Sequence, residues 1–269
     1  MTSRVVLVTG ASSGIGEATA TQMAAAGFTV YGAARRVDRI AQLPGVIPIA
    51  MDVTDEDQVS AAVQRIIDEQ GRLDILVNNA GYAQYGPVED ISIDAARRQF
   101  DVNIFGLARL TQLVIPHMRA QGKGTIVNIS SMGGRIYTPM GAWYHATKHA
   151  LEGWSDCLRV ELAPQGIDVI IVEPGGIASE FNEVLGQHAS EVSQPYVALQ
   201  QSVARTMGDP SFQSKLSPPS LIADTIIKAV NSPKPKGRYM AGYLAKPMWR
   251  LRRFGGDGLY DRAVNRILK

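Results

Sequence analysis

Between residues 4 and 173, short apolar runs alternate regularly with longer segments whose apolar residues have helical spacing. This alternation is typical of repeated βα units that wind helices around a buried parallel sheet. Strands are predicted at Arg4–Thr9, Thr29–Ala33, Val46–Met51, Leu73–Asn78, Gly124–Ser130, Asp168–Glu173 and Arg238–Ala241. Helices are predicted at Ile15–Ala26, Asp55–Gln70, Ser92–Ile115, Ala142–Leu162 and Leu221–Val230. The predicted fold is a doubly wound α/β structure, with a parallel sheet of about seven strands and helices on both of its faces.

The length of the chain favours a single domain. Its 269 residues, of which 45% are hydrophobic, can bury one large core. We expect this domain to occupy residues 1–245. The segment 176–219 shows neither a clean strand nor a long helix, and long irregular insertions of this kind are usually lids or binding loops.

Residues 246–269 form a basic tail. It carries seven basic residues against two acidic ones, a local charge of +5, and several apolar residues such as Trp249 and Phe254. A packed C-terminal helix with a solvated basic face, or a contact between subunits, is the preferred interpretation. An interfacial helix attracted to anionic lipid, which would make a peripheral membrane contact, is the alternative. Three glycines are expected to interrupt any long continuous helix here: Gly255, Gly256 and Gly258.

Composition excludes several other classes of protein. The formal net charge is +2, from 27 basic and 25 acidic residues, which gives no overall field that would recruit nucleic acid. Cys157 is the only cysteine, so one chain can form neither a disulfide framework nor a cysteine metal site. No stretch approaches the length of a membrane span, and the first residues lack a signal-peptide pattern. We therefore expect a cytoplasmic protein without a transmembrane segment.

A glycine-rich turn follows the first predicted strand. Residues 10–16 read Gly-Ala-Ser-Ser-Gly-Ile-Gly, and the next helix is predicted to begin within this stretch. Glycines let the backbone approach a pyrophosphate, and a helix N-terminus offers unpaired N–H groups at the positive end of its dipole. The Gly-x3-Gly-x-Gly spacing is a variant of the dinucleotide fingerprint of the Rossmann fold, although a tight turn without a ligand is the alternative. The predicted cofactor contacts in this turn are Gly10, Ser12, Ser13, Gly14, Ile15 and Gly16.

The end of the second predicted strand indicates which dinucleotide binds. An NAD site places Asp or Glu there to bind the ribose hydroxyls, whereas an NADP site places Arg near the 2′-phosphate. Here the chain reads Ala-Ala-Arg-Arg over residues 33–36, with no carboxylate before Asp38. The planar guanidinium forms paired, charge-assisted hydrogen bonds with phosphate. Arg35 and Arg36 therefore predict NADP(H), unless they are a solvated pair in a loop.

Tyr144 and Lys148 lie four residues apart in a segment with helical spacing, so their side chains project from one face of a helix. A free tyrosine, with a pKa of about 10, is a poor proton donor or acceptor at neutral pH. A nearby ammonium group stabilises the phenolate and lowers that pKa, which makes the phenol a usable general acid or base. Because such pairs also arise by chance, the spacing alone does not establish a catalytic role.

These residues belong to a larger set of motifs in a fixed order. The set comprises Thr9-Gly10-x3-Gly14-Ile15-Gly16, Asn78-Asn79-Ala80-Gly81, Asn103, Ser131, Tyr144-x3-Lys148 and Pro174-Gly175. With these motifs in register over nearly its whole length, the sequence resembles the short-chain dehydrogenase/reductase family. Ser131 rather than Ser130 is the match, because it stands thirteen residues before Tyr144, the interval that the family uses.

The resemblance implies a role for each matched residue. Tyr144 would be the proton donor in reduction, and Lys148 would bind the nicotinamide ribose while lowering the pKa of Tyr144. Ser131 would hydrogen-bond the substrate oxygen, and Asn103 would hold a water in the proton relay. The remaining cofactor contacts implied are Asp52 and Val53 at the adenine, Asn79, Ala80 and Gly81 beside the adenosine ribose, Pro174, Gly175 and Ile177 along the nicotinamide, and Ser179 at the carboxamide, where the family commonly has threonine.

The resemblance thus implies an NADP(H)-dependent oxidoreductase that moves a hydride between the nicotinamide and a carbonyl or secondary alcohol. Apolar residues outnumber basic ones between Ile177 and Met207, and Glu180, Glu183 and Glu191 would repel an anion. A neutral, largely apolar substrate is therefore favoured, although the same residues could equally pack an ordinary lid. A sensor or scaffold that binds NADP(H) without turnover is the alternative function. A lyase or epimerase relative is less favoured, because those relatives usually have a different glycine spacing.

Two further features concern metals and assembly. His145 and His149 flank the Tyr144–Lys148 pair but have no carboxylate or cysteine at ligand spacing, so no metal site is expected. The family resemblance also suggests a homodimer or homotetramer. The predicted helices Ser92–Ile115 and Ala142–Leu162 are the expected contacts between subunits.

Overall fold

A computed structural model describes residues 3–178 and 192–267 of the chain. The strands are β1 Val5–Thr9, β2 Thr29–Ala34, β3 Val46–Ala50, β4 Ile75–Asn78, β5 Gly124–Ile129, β6 Ile167–Pro174 and β7 Arg238–Ala241. The α-helices are α1 Gly14–Ala25, α2 Val37–Ile40, α3 Glu56–Gln70, α4 Ile93–Phe100, α5 Leu107–Ala120, α6 Ala142–Leu162, α7 Val197–Gly208, α8 Pro210–Gln213, α9 Pro219–Val230 and α10 Ala245–Ile267. A π-helical segment, Asp101–Gly106, joins α4 to α5.

The strands form one parallel sheet in the order β3-β2-β1-β4-β5-β6-β7. The order reverses between β1 and β4, and at such a point the loops after neighbouring strands diverge and leave a crevice at the carboxyl ends. The predicted doubly wound parallel sheet is confirmed. Each strand begins and ends within two residues of its predicted bounds, which is the usual uncertainty at element ends.

The sheet is covered on both faces, and β1 shows why its sequence is uninterruptedly apolar. Val5 and Leu7 pack into one hydrophobic cluster with α3, α5 and α6, whereas Val6 and Val8 pack into a second cluster with α1 and α9. Side chains alternate between the faces of a strand, so a strand covered on both sides needs apolar residues at every position. All five residues of β1 are buried.

The predicted helix Ser92–Ile115 differs from the structure in two ways. It is divided by the π-helical segment, where Gly106 packs so closely on the carbonyl of Val53 that a β-carbon would collide with it. It also continues through Pro116 to Ala120, although the prediction ended before that proline. Met118 is fully buried in the core one turn beyond Val114, so tertiary packing outweighs the hydrogen bond that proline lacks.

Two helices in the described part of residues 176–219 were not predicted as such. The twelve-residue helix α7 has no buried residue, although Leu199, Val203 and Met207 recur in its sequence at helical spacing. The helix α8 is only four residues long. Residues 179–191, which include Ser179, Glu180, Glu183 and Glu191, lie outside the described residues.

The basic tail forms α10, which consists of two helical arms joined at Gly256. This glycine has a φ of 69° and a ψ of −177°, which are not helical values, so the glycines interrupt the helix as expected. None of the helices within residues 3–178 and 192–267 combines the length and the apolar character that a membrane span requires.

Candidate active site

The carboxyl ends of the strands open into a cavity of about 1090 Å³ at the point where the strand order reverses. Pockets for small molecules and cofactors commonly reach about 1000 Å³, so this one is large enough for a dinucleotide. Its lining includes eighteen of the residues predicted from sequence: Gly10, Ser12, Ser13, Gly14, Ile15, Arg35, Arg36, Asp52, Val53, Asn79, Ala80, Gly81, Ser131, Tyr144, Lys148, Pro174, Gly175 and Ile177. Gly16 and Asn103 do not line it, and Ser179 lies outside the described residues.

The turn after β1 has the geometry that an anion-binding loop needs. Gly10 and Gly14 have φ values of 65° and 57°, a region that residues other than glycine rarely adopt. Ser13 begins α1 without a side-chain capping hydrogen bond, so the first amide groups of α1 remain available to an anion. These features fit a pyrophosphate.

Gly16 and Asn79 hold this turn in place. The Asn79 amide donates to the carbonyl oxygen of Thr9 at 2.9 Å, and the Thr9 hydroxyl accepts from the backbone N–H groups of Asn79 and Ala80. A β-carbon on Gly16 would collide with the carbonyl oxygen of Gly10 and with the Asn79 amide. Gly16 was predicted as a cofactor contact, but the structure gives it a packing role because it lies beneath the turn.

We expect Gly16→Ala to lower the free energy of unfolding by about 1–3 kcal/mol, because the added methyl group overpacks the turn. Gly153→Ala is a matched control, since Gly153 lies in α6 with open space around it and should gain about 0.5–1 kcal/mol from better helix propensity. Urea unfolding of the two variants measures both effects. Equal stability of the two variants would contradict this account of the turn.

The two predicted arginines lie at the rim of the cavity, beside the end of β2. Arg36 donates from Nη2 to the Ser13 hydroxyl at 3.0 Å, which places it against the glycine turn. The Arg35 side chain is 80% exposed, and its Nη1 is 3.9 Å from the Asp52 carboxylate. Although burial opposes the shift, hydrogen bonds from Thr54 and the charge of Arg35 lower the pKa of Asp52. The end of β2 thus offers two cations and no carboxylate of its own.

Ser131, Tyr144 and Lys148 meet in the cavity wall. Ser131 follows β5, and Tyr144 and Lys148 are buried on the first turns of α6. The Ser131 hydroxyl is hydrogen-bonded to Tyr144, and it also accepts from the backbone N–H of Gly133 at 2.9 Å. Lys148 Nζ donates to the carbonyl oxygen of Ile129 at 2.8 Å and lies 5.9 Å from the centre of the Tyr144 ring. The structure therefore brings together the three groups that the sequence motifs predicted.

The pKa values of Tyr144 and Lys148 differ from the expectation. Burial raises the pKa of Tyr144, the nearby Tyr85 raises it further, and only the hydrogen bond with Ser131 opposes the shift. Burial also lowers the pKa of Lys148 to about 8, against the opposing effect of Glu152. Loss of hydration is thus the largest influence on the pKa of Tyr144 among the protein's own groups, and the expected lowering by Lys148 is not seen there.

Asn103 is buried in the π-helical segment, where its side-chain amide donates to the carbonyl oxygen of Tyr82 at 2.9 Å and to the Thr147 hydroxyl at 3.1 Å. Its Oδ1 accepts from the backbone N–H of Tyr82 at 3.1 Å. Because both ends of the amide are bonded to protein, the side chain connects α6 to the loop after β4. The predicted role of Asn103 in holding a water of the proton relay stays a prediction.

His145 has a structural role in positioning Ser131. Its Nε2 accepts from the backbone N–H of Thr138 at 3.0 Å, so its Nδ1 carries the proton shared with the carbonyl oxygen of Gly133, 2.8 Å away. Burial lowers the pKa of His145, which favours this neutral form. The ring therefore ties the segment after Ser131 to α6. Among the described residues, no group of three His, Cys, Asp or Glu side chains is placed to hold a metal ion.

Several lining residues were not identified from the sequence. Tyr85 is half-buried with its ring centre 5.8 Å from that of Tyr144, and loss of hydration raises its pKa to about 12. Phe212 and Leu216 come from α8 and the turn after it. These residues belong to no motif, and only the fold brings them to the cavity. With Met132 and Met207 they give this part of the lining an apolar character.

The cavity wall at Gly175 and Gly176 is in contact with the segment that follows β7. Gly175 donates its backbone N–H to the carbonyl oxygen of Ala241 at 2.8 Å, and Gly176 donates to that of Tyr243 at 2.8 Å. A β-carbon on Gly175 would collide with the Tyr243 carbonyl oxygen and approach Ala245, the buried first residue of α10. Glycine at position 175 is therefore required by close packing against the segment after β7.

Two buried glutamates and two partly exposed arginines form a charged cluster that joins the elements carrying Ser131, Tyr144 and Lys148. Arg135, after Ser131, lies 3.5 Å from Glu173 at the end of β6 and 3.8 Å from Glu152 of α6. Arg238 of β7 lies 3.0 Å from Glu152 and 3.5 Å from Glu173. Burial and the neighbouring Glu152 carboxylate raise the pKa of Glu173 to about 7, although the two arginines oppose this shift.

The raised pKa of Glu173 predicts a loss of stability as the pH rises. The folded protein binds a proton at Glu173 more tightly than the unfolded chain does. The contribution of this proton to the free energy of unfolding is therefore complete below about pH 4.5 and is lost by about pH 7. Glu173→Gln removes this titration. Between pH 5 and 7, we expect the free energy of unfolding of the variant to fall by about 1–2 kcal/mol less than that of the wild type. Urea midpoints across this range measure the difference. The exposed Glu161→Gln should keep the wild-type slope, and an unchanged slope in Glu173→Gln would contradict the shift.

Comparisons with known proteins agree with this geometry. A sequence model of the family described as short chain dehydrogenase matches residues 4–190. The chain is 35% identical over 270 residues to the "Uncharacterized oxidoreductase YbbO" of Escherichia coli strain K12, covering 98% of this chain and 93% of that protein. It is 38% identical over 183 residues to a "3-ketodihydrosphingosine reductase" of Bacteroides thetaiotaomicron, covering 68% and 67% of the two chains.

Solved structures are similar over the same fold. A short-chain dehydrogenase from Streptomyces avermitilis has a TM-score of 0.82 at 33% identity, covering 99% of this chain and 98% of that one. A 3-ketoacyl-(acyl-carrier-protein) reductase from Brucella melitensis, complexed with NADH, has a TM-score of 0.74 at 27% identity, covering 88% and 95%. Actinorhodin polyketide ketoreductase with NADPH has a TM-score of 0.75 at 27% identity, covering 89% and 95%. This chain therefore belongs to the short-chain dehydrogenase family of nicotinamide-dependent oxidoreductases.

Proposed function

We propose that this protein is an NADP(H)-dependent reductase of a neutral, largely apolar ketone or aldehyde, acting in reverse on the matching alcohol. The observation that carries the proposal is the hydrogen-bonded Ser131–Tyr144 pair, with Lys148 beside it, in the wall of a cavity of dinucleotide size. A protein that only binds the cofactor has no need of a buried phenol bonded to a serine hydroxyl. The sensor or scaffold alternative is therefore disfavoured.

The protein's own groups account for the proton in this reaction. In the direction of reduction, a bound nicotinamide would supply the hydride for the carbonyl carbon. Tyr144 donates its phenolic proton to the carbonyl oxygen, and Ser131 hydrogen-bonds that oxygen as negative charge develops on it. The Lys148 ammonium then stabilises the resulting phenolate, which regains its proton from solvent. The raised pKa of Tyr144 suits this direction, because it keeps the phenol protonated at neutral pH.

Charge at the end of β2 supports NADP(H) as the cofactor. Arg36 is held against Ser13 of the glycine turn, and Arg35 extends into solvent beside it, so both can reach a phosphate on the adenosine ribose. We propose that these two guanidinium groups bind the 2′-phosphate. Solved relatives hold either NADH or NADPH. We therefore propose that the preference of this chain for NADP(H) over NAD(H) depends on Arg35 and Arg36.

The apolar part of the lining supports a neutral substrate. Tyr85, Met132, Met207, Phe212 and Leu216 contribute aromatic, thioether and aliphatic surface to the cavity. Three similar proteins have names that refer to reduction of a keto group. We therefore propose a ketone attached to an extended apolar chain as the substrate class.

A substrate panel tests this function. Purified protein is incubated with NADPH or NADH and with matched ketones of one chain length, some ending in a methyl group and others in a carboxylate. We expect NADPH oxidation with the uncharged ketones, and at least about tenfold lower kcat/KM with the carboxylated ones, since transfer of an unpaired charge into an apolar lining is unfavourable. Binding of NADPH without turnover on any ketone or alcohol would instead support the sensor alternative.

We also propose that copies of the chain associate through the two predicted contact helices. Phe105 lies on the first of them and Val160 on the second, with exposures of 61% and 65%. Contiguous exposed apolar patches mark contacts between proteins, and we propose that these two side chains belong to such a patch. Val160→Lys should lower the oligomer mass measured by analytical ultracentrifugation. A wild-type protein that remains monomeric at all concentrations would contradict this assembly.

A further inference from the structure

The two arms of α10 are anchored to the domain by their inner faces. Met248 and Leu251 from the first arm, and Tyr260 and Val264 from the second, pack in one hydrophobic cluster around Ile136. Tyr260 is fully buried, and its hydroxyl donates to the carbonyl oxygen of Tyr137 at 2.8 Å. The helix is thus a fixed part of the surface, with one face in the core and the other in solvent.

The outer face of the first arm combines cations with an exposed aromatic ring. Lys246, Arg250, Arg253 and Phe254 are all exposed, and their spacing of three or four residues puts them on one side of the helix. The Phe254 side chain is 78% exposed, the largest value among the exposed large hydrophobic residues of the described chain. Its ring makes an edge contact with the ring of Trp249, whose centre is 6.1 Å away, and most of its surface is open to solvent.

The second arm repeats the same arrangement. Leu259, Arg262 and Arg266 are exposed at intervals of three and four residues, and Leu259 is 49% exposed. The outer face of α10 is defined here as the seven residues Lys246, Arg250, Arg253, Phe254, Leu259, Arg262 and Arg266.

The two acidic side chains of α10 do not offset these cations. Asp257 pairs with Arg252, and Asp261 accepts a hydrogen bond from the Tyr137 hydroxyl at 2.6 Å. Within residues 3–178 and 192–267, none of the five cations of the outer face forms an ion pair. The outer face therefore presents five positive charges and two protruding apolar side chains.

We propose that the outer face of α10 binds the surface of a lipid bilayer that contains anionic phospholipid. The cations match the negative surface charge, and Phe254 and Leu259 are placed to enter the boundary between headgroups and acyl chains. A symmetric contact between two copies would bring the five positive charges of each against those of the other, which is unfavourable. Nucleic acid would satisfy the cations but would leave the exposed leucine without an apolar partner. The helix lies on the surface and does not span the bilayer.

Co-sedimentation with lipid vesicles tests this proposal independently of any enzymatic activity. The full chain is mixed with vesicles of phosphatidylcholine alone, or of phosphatidylcholine with phosphatidylglycerol, at low and at high salt. We expect binding to the anionic vesicles that weakens at high salt, and little binding to the neutral ones.

Matched variants identify the surface. Arg250→Glu with Arg253→Glu should weaken binding to anionic vesicles by about 25-fold or more, because each basic residue near such a surface contributes about a fivefold factor. The control, Lys234→Glu with Lys236→Glu, changes the net charge equally at exposed lysines before β7 and should bind like the wild type. Phe254→Ser should weaken binding by about tenfold, whereas Val88→Ser, at a 58% exposed position elsewhere, should not.

Four results would overturn the proposal, three from the binding measurements and one from sedimentation without lipid. One is equal binding to neutral and anionic vesicles, and another is an equal loss in the α10 variant and in its lysine control. The third is tighter binding to duplex DNA than to the anionic vesicles. Sedimentation without lipid checks the contact between copies: a lower oligomer mass in the Arg250→Glu, Arg253→Glu variant would assign the outer face to that contact and also reject the bilayer. Because all the substituted side chains are exposed, unchanged urea midpoints should show that the variants fold.

Discussion

Tyr144→Phe is expected to lower kcat by about 1000-fold while NADPH still binds. The substitution removes only the phenolic oxygen, so the ring continues to fill its place on α6 beside Tyr85. Proton transfer by a positioned side chain contributes about 100- to 10,000-fold to a rate. Initial rates of NADPH oxidation measure the loss, and the fluorescence of bound NADPH shows whether the cofactor site is intact.

Tyr85→Phe is the matched control for this experiment. It removes the same atom from a second tyrosine that lines the same cavity, whose hydroxyl is hydrogen-bonded to Thr138 rather than to Ser131. We expect its kcat to fall by less than about tenfold, because a hydroxyl outside the proton path contributes only through packing and one hydrogen bond. Comparable losses in the two variants would show that Tyr144 acts through packing and is not the proton donor.

Removal of both guanidinium groups, in Arg35→Ala with Arg36→Ala, is expected to lower kcat/KM for NADPH by about 100-fold or more. Each hydrogen bond from a charged donor to the 2′-phosphate contributes about 1.5–3 kcal/mol. The kcat/KM for NADH should change much less, because NADH has no 2′-phosphate. Steady-state kinetics with both cofactors on one substrate gives this ratio directly.

Arg39→Ala serves as the control, because it removes an exposed cation one turn further along the chain, outside the cavity lining. Its cofactor preference should match that of the wild type. Arg35→Asp should lower kcat/KM for NADPH more than the alanine substitution does, because a carboxylate repels the phosphate. A wild-type preference for NADH, or wild-type behaviour of Arg35→Asp, would refute NADP(H) as the cofactor.

The sequence was informative where one local pattern determines the outcome. The continuous apolar run in β1 is required by burial on both faces, and the Tyr144–Lys148 spacing follows from the pitch of a helix. The glycine turn could be located because positive φ values and close backbone contacts exclude most other residues. These features depend on neighbours in the chain, which is why patterns of a few residues predicted them.

Features that depend on distant contacts were missed. Phe212 and Leu216 reach the cavity only because the chain returns after β6, and no local motif marks them. The side chain of Asn103 is held by Tyr82 and Thr147, which a motif match at a single position cannot show. The direction of the pKa shift at Tyr144 was also wrong, because the charge of Lys148 could be read from the sequence but the depth of burial could not.

The packing of Gly175 under Tyr243 and Ala245 has a consequence for where this protein can be shortened. Residue 245 resembles a natural end point in the sequence, since the basic tail begins just after it. In the structure, however, the Tyr243 carbonyl and the Ala245 methyl group pack against the backbone that would face the nicotinamide. Tyr260 further along anchors α10, which begins at Ala245, to the segment around Tyr137. Deleting the tail would therefore loosen the Gly175 segment of the cavity wall. An enzyme shortened at residue 245 for crystallisation or fusion would lose activity even though its β-sheet still formed.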